Sequence, residues 1–153
     1  LRAVYNELLE RLIDDKLLTI HGRLNNLAED SEVKTMLKGA EDQIIARGYN
    51  YTQRLNDVTA HAEIQAFTAA ANYLASKYLL DCTLYVTIEP CIMCAGAAYW
   101  TQIKRIVYGA RDEKRGFLNL EHNILHPKTH IEGGILKEEC SKLMTDFFLK
   151  RRE

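Results

Sequence analysis

Long apolar runs are missing from this chain. Nowhere do hydrophobic residues continue for the roughly 18 positions that a membrane-crossing helix needs, and the first residues lack the basic, apolar, small-residue order of a secretory leader. Both absences lead to the expectation of a cytoplasmic protein with no membrane contact. Cysteine is sparse too: four in 153 residues is too few for a disulfide-held secreted scaffold. Two of the four, Cys91 and Cys94, stand at a spacing suited to a metal or redox site. The other two, Cys82 and Cys140, are expected as buried or half-buried free thiols, because a free cysteine packs as a small hydrophobe. An excess of one charge is also lacking. With 20 Lys and Arg against 21 Asp and Glu, the net charge is −1, which excludes a surface that grips nucleic acid all over by charge. Any such contact must be a local patch. Proline occurs only twice, and no Pro-rich linker, repeat or low-complexity tract divides the chain. Hydrophobic residues at 47% and charged ones at 27% fit a single soluble globular domain over residues 1–153.

What is present has helical and strand periods in alternation. Residues 60 to 76 are alanine-rich with apolar positions at helical spacing, so a helix is expected there. Residues 83 to 88, Thr-Leu-Tyr-Val-Thr-Ile, are β-branched and aromatic and stop at Pro90, which reads as a strand. A second helix is expected from Cys91 to Trp100, a short strand over residues 105 to 109, and an amphipathic helix over residues 135 to 150. The stretch between Gly109 and Ile135 is rich in turn residues and predicts loops with at most short elements. Upstream, residues 43 to 47 suggest a strand that runs into a turn at Gly48-Tyr49-Asn50. The first 18 residues are helical by pattern, and the rest of residues 1 to 42 is ambiguous. Alternating helices and strands from residue 43 onward fit an α/β layer architecture.

Chemistry concentrates at two places. His61-Ala62-Glu63 opens one expected helix and Pro90-Cys91-Ile92-Met93-Cys94 opens the next. Alone, the histidine reads as a cap or core residue, and Cys-x-x-Cys is divided among zinc ligation, redox chemistry and coincidence. Together they supply three zinc ligands, His61, Cys91 and Cys94, and leave a fourth position for water, the composition of a catalytic zinc site. Glu63 then stands close to the metal without binding it, where a proton carrier belongs. A redox reading of the two cysteines leaves His61 and Glu63 unexplained. The pattern H-x-E…P-C-x-x-C is the known signature of zinc base deaminases, and the mechanism it implies is inherited from that class: hydrolytic attack on the amidine-like carbon of a base, with the glutamate moving protons.

Thr59-Ala60-His61-Ala62-Glu63-Ile64 and Thr87-Ile88-Glu89-Pro90-Cys91-Ile92-Met93-Cys94-Ala95-Gly96-Ala97 resemble the bacterial tRNA-specific adenosine deaminase family. The likeness extends over about residues 43 to 152, through Gly48-Tyr49-Asn50, residues 106 to 112, Leu125-His126-Pro127 and the ending that contains Asp146-Phe147-Phe148. It implies the cytidine deaminase-like three-layer fold, a mixed five-stranded sheet flanked by helices. It also implies one Zn2+ per subunit with a bound water, a homodimer, and conversion of the wobble adenosine of a tRNA anticodon loop to inosine. By the same resemblance Asn50 hydrogen-bonds the flipped base, and the backbone at Ala62 and Ile88 lines its pocket. Asp112 meets the anticodon backbone or ribose, and Phe148, Lys150, Arg151 and Arg152 stack on or pair with RNA. Aromatic faces for splayed bases and a short basic run for phosphates suit such a patch. Phe147, its neighbour on the amphipathic helix, is expected to be the buried one of the two.

The likeness fails near the start. Where the family has a Pro-Val-Gly-Ala-Val-like interior strand, this chain has Val33-Lys34-Thr35-Met36-Leu37-Lys38-Gly39-Ala40, so the first-strand region of about residues 33 to 40 is atypical and residues 1 to 42 are divergent. A missing interior strand leaves its neighbours' backbone groups unpaired, at about 1–3 kcal/mol for each one buried. Two other functions fit the same residues: a guanine, cytosine or nucleotide deaminase of the same fold, and a non-catalytic RNA-binding or dimer-partner subunit. Phe147-Phe148 with the terminal basic run and Cys94-Ala95-Gly96-Ala97 favour RNA over a free base, and an intact Glu63 speaks against a subunit without turnover.

Overall fold

The computed structural model describes Arg2–Asn6, as backbone, and residues 44 to 150. Within these, β1 is Arg2–Asn6, β2 is Ile44–Gly48, α1 is Thr52–Leu55, α2 is Ala62–Leu74 and β3 is Cys82–Ile88. Next come α3 at Ile92–Thr101, β4 at Arg105–Ala110, a 3-10 turn at Phe117–Asn119, β5 at His130–Gly133 and α4 at Lys137–Lys150. The strands form one sheet in the order β2-β1-β3-β4-β5. The fold is α/β, helices on a parallel sheet.

Two expectations are corrected at the sheet's centre. Residues 2 to 6, helical by pattern, are a strand instead, because the slot between β2 and β3 offers hydrogen-bonding neighbours on both edges, with Val4 in register with Ala46 and with Leu84. Such a ladder overrides a weak helical propensity. The interior slot that the sequence left without a strand is thereby filled from the amino-terminal end. The strand considered over residues 33 to 37 lies outside the described residues. The expected mixed sheet is also corrected: β1 pairs parallel with β2 and β3, β3 with β4, and β4 with β5. A tight hairpin imposes antiparallel pairing, whereas the long connection over residues 7 to 43 leaves a parallel crossover open.

On one face of the sheet α2 and α3 cover a core of Cys82, Leu84, Val86, Ile106 and Tyr108. Their contacting positions are small: Ala66, Ala70, Ala95 and Ala98 are all buried, so the helix backbones come close to the strands. β2 meets α2 more closely still, since a Cβ on Gly48 would stand 1.9 Å from the Ala62 carbonyl oxygen. The opposite face takes α4. Side chains alternate along a strand, and Gly109, out of phase with the core residues Ile106 and Tyr108, lies under the Cys140 sulfur. As expected, Cys82 is buried and Cys140 half-buried, both as free thiols. Phe147 is half-buried rather than buried, its ring packed edge-on against the exposed Phe148.

Candidate metal centre and active site

His61 is the residue that caps the start of α2, and Cys91 does the same for α3. Both have extended backbone angles there, and neither side chain makes a capping hydrogen bond to its own helix. The loop before α2 is shaped by Asp57, whose carboxylate accepts hydrogen bonds from the Thr59 N–H at 2.8 Å and the Thr59 hydroxyl at 2.7 Å. The Tyr51 N–H donates to the Ala60 carbonyl at 2.9 Å, tying the segment after β2 to the residue before His61. On the other side the buried pair Glu89-Pro90 follows β3 and leads to Cys91. The site thus sits beyond the carboxyl ends of parallel strands, the usual position for ligands in open α/β sheets.

The Cys91 and Cys94 sulfurs each lie 3.5 Å from Nδ1 of His61, and the three ligand atoms fall within 4.8 Å of one another. A tetrahedral zinc with sulfurs at about 2.3 Å and nitrogen at about 2.0 Å sets an S–N separation of about 3.5 Å. The group could hold a metal. Cys91 is the more acidic thiol, its pKa lowered to about 5 first because the Cys94 thiol donates to it; burial opposes the shift, and the N–H groups that open α3 also favour the thiolate. Cys94 is pushed up by the same interaction and by burial. A cation between the two sulfurs favours both thiolates.

Glu63, on the first turn of α2, is 7% exposed. Burial raises its carboxyl above the ordinary glutamate range, the nearby Cys91 adds to the rise, and its own backbone N–H, His61 and Cys94 oppose it. The buried carboxyl thus lies within electrostatic reach of His61, Cys91 and Cys94.

The remaining expected residues lie at varying distance from this cluster. Asn50 follows β2, and its side-chain oxygen accepts from the Thr52 N–H at 3.1 Å, which orients the amide. Ala62 is buried at the start of α2, and Ile88 is half-buried at the end of β3. Asp112 spends one carboxylate oxygen on its own loop, accepting from the Lys114 and Arg115 N–H groups at 3.0 Å each. Phe148 is 51% exposed on α4 and packs edge-on against Phe147 with centroids 5.2 Å apart. The Lys150 side chain, Arg151 and Arg152 lie outside the described residues. Two features near the site escaped the sequence reading: the short helix α1 and the buried carboxylate of Glu89. A charged residue between a buried strand and Pro90-Cys91 is the signal that could have pointed to Glu89.

The MafB19-like deaminase family matches residues 23–152. The tRNA-specific adenosine deaminase of Haemophilus influenzae is 38% identical over 148 residues, which covers 92% of this chain and 86% of that protein. That of Buchnera aphidicola is 41% identical over 120 residues, 73% of this chain and 77% of the other. Among solved structures, a tRNA:A34 deaminase studied for A-to-I editing at the wobble position superposes with a TM-score of 0.57 at 32% identity, over 78% of this chain and 99% of that one. A guanine deaminase from Nitrosomonas europaea shares the fold, with a TM-score of 0.52 at 23% identity over 65% of this chain and 63% of that one.

Proposed function

Since this chain belongs to the MafB19-like deaminases, in the family of the tRNA-specific adenosine deaminases, we propose that it hydrolyses the wobble adenosine of a tRNA anticodon loop to inosine. The observation that carries the reading is the convergence of His61, Cys91 and Cys94 beside the buried carboxyl of Glu63. We assign the three as ligands of one Zn2+, in agreement with their tetrahedral spacing. When bound there, the metal supplies activation of water at neutral pH.

The chain's own residues do the rest. Glu63 takes one proton from the attacking water on its carboxylate and places it on N1 of the base, then carries the second, from the new C6 hydroxyl, to the departing N6 amine. The C6–O bond forms, the C6–N6 bond breaks, and adenosine plus water gives inosine plus ammonia. Burial at the start of α2 keeps bulk water from competing for that proton. The Asn50 amide, set by its bond to the Thr52 N–H, holds the flipped base, with the backbone at Ala62 and Ile88 as the pocket wall. Asp112 meets the anticodon backbone or ribose, and Phe148 with Lys150, Arg151 and Arg152 forms the RNA patch; the exposed ring of Phe148 supports this.

A cytidine deaminase-like layering, a homodimer and a cytoplasmic place of action complete the reading. The dimer is supported by exposed Ile92, Tyr99 and Trp100 on α3, an apolar set of the kind that protein interfaces use. No helix among the described residues is long and apolar enough to cross a membrane.

The test is inosine formation in an anticodon stem-loop with adenosine at the wobble position, run beside guanine, cytosine and cytidine. Inosine at that single position is the expected product. Turnover of a free base alone overturns the RNA substrate and keeps the chemistry.

A further inference from the structure

Glu89 is 1% exposed and immediately precedes Pro90-Cys91, yet the chemistry described above does not use it. A buried carboxylate is costly unless its oxygens are bonded, and here the donors come from one loop. Oε1 accepts from the Leu118 N–H at 2.7 Å, Oε2 accepts from the Asp112 N–H at 3.2 Å, and Arg111 Nε stands 3.6 Å from Oε2. Gly116 closes against the same group: a Cβ there would lie 2.4 Å from the carboxylate carbon. Around these bonds the loop is stitched to the segment that carries Cys91. The Phe117 N–H donates to the Pro90 carbonyl at 3.1 Å, and Gly116 forms an antiparallel bridge with Cys91 itself.

We propose that Glu89 is the positioning residue of the metal centre: its carboxylate clamps residues 112 to 118 against residues 89 to 91 and so sets the direction of the Cys91 sulfur. The inference rests on the metal-ligand reading of Cys91. Two fixed oxygens hold two amides from opposite ends of the loop, so the bridge at Gly116 and Cys91 is formed between points that cannot separate. Groups that orient a ligand in this way typically govern metal affinity by about 10–100-fold.

Glu89→Gln keeps the side chain's shape and replaces one acceptor by a donor that opposes an amide. The full chain is loaded with cobalt or zinc, affinity is read by competition with a chromophoric chelator, and the cobalt–thiolate absorption band is recorded with amide exchange at Asp112 and Leu118. The expected result is a folded variant with at least tenfold weaker metal binding, a shifted band and faster exchange at both amides. Gly116→Ala, which pushes the loop off the carboxylate while leaving Glu89 in place, is expected to reproduce the loss even if the Gln variant fails to fold. Arg111→Ala is expected to change affinity less than threefold; a loss equal to that of Glu89→Gln assigns the effect to charge and overturns the clamp. Unchanged affinity and band in both Glu89→Gln and Gly116→Ala overturn it as well. If the native chain binds no metal while Cys91→Ser behaves identically, the metal-centre reading fails and the clamp with it.

Discussion

His61 and Cys91 cap two neighbouring helices, and the imidazole Nδ1 of one lies 3.5 Å from the sulfur of the other. Each helix opening turns a ligand toward the other, with the Cys94 sulfur at the same distance from the ring. Replacing Cys91 by Ser is therefore expected to abolish stoichiometric zinc, measured as metal retained after dialysis, and to remove all deaminase activity. A fully loaded Ser variant assigns the metal elsewhere.

Glu63→Gln is expected to keep its zinc and lose about 10²–10⁴-fold in kcat, the usual range for a lost general acid or base. The same variant has a stability signature in metal-free protein. Burial raises the Glu63 carboxyl above its unfolded value, so the residue costs nothing while both states are protonated. It destabilises progressively as pH rises through the ordinary glutamate range towards the folded value. Gln removes that cost: Tm should rise at pH 8 and stay unchanged near about pH 4. An equal rise at both values contradicts the assignment.

Gly48→Ala places a methyl group 1.9 Å from the Ala62 carbonyl oxygen. Backbone cannot give way as a flexible side chain does, so β2 and the start of α2 must separate. A loss of about 1–3 kcal/mol is expected from denaturant unfolding, together with weaker zinc binding because His61 precedes the displaced residue.

Ala75 ends α2 in the left-handed conformation, φ 49, where a Cβ is unfavourable. Ala75→Gly relieves it at an exposed position and should stabilise the protein by about 0.5–1 kcal/mol, glycine's greater unfolded-state freedom offsetting part of the gain. Thermal unfolding checks the direction, and activity should not change.

Phe148→Ala is expected to weaken anticodon stem-loop binding by about 1–3 kcal/mol if its exposed ring stacks on a base, with stability unchanged. Phe147→Ala should instead lower stability and leave binding unchanged, since its ring is half-buried. Paired binding and unfolding measurements separate the two.

The residues that converge, His61, Cys91 and Cys94 with Glu63 beside them, were legible in the sequence because the pattern is local: His61 and Glu63 are two residues apart, Cys91 and Cys94 three, and each pair marks a helix start. The helices α2, α3 and α4 and the strands β3 and β4 were legible for the same reason, since period and propensity act within a dozen residues. Only the tertiary structure decided where residues 2 to 6 go. A five-residue segment carries too little pattern to compete with the helical look of its surroundings, and its strand character comes from the ladders on both edges. Glu89 is the second case. Its amide partners stand 23 and 29 residues further along the chain, and no spacing rule links a carboxylate to backbone N–H groups that the folding of a loop alone brings to it.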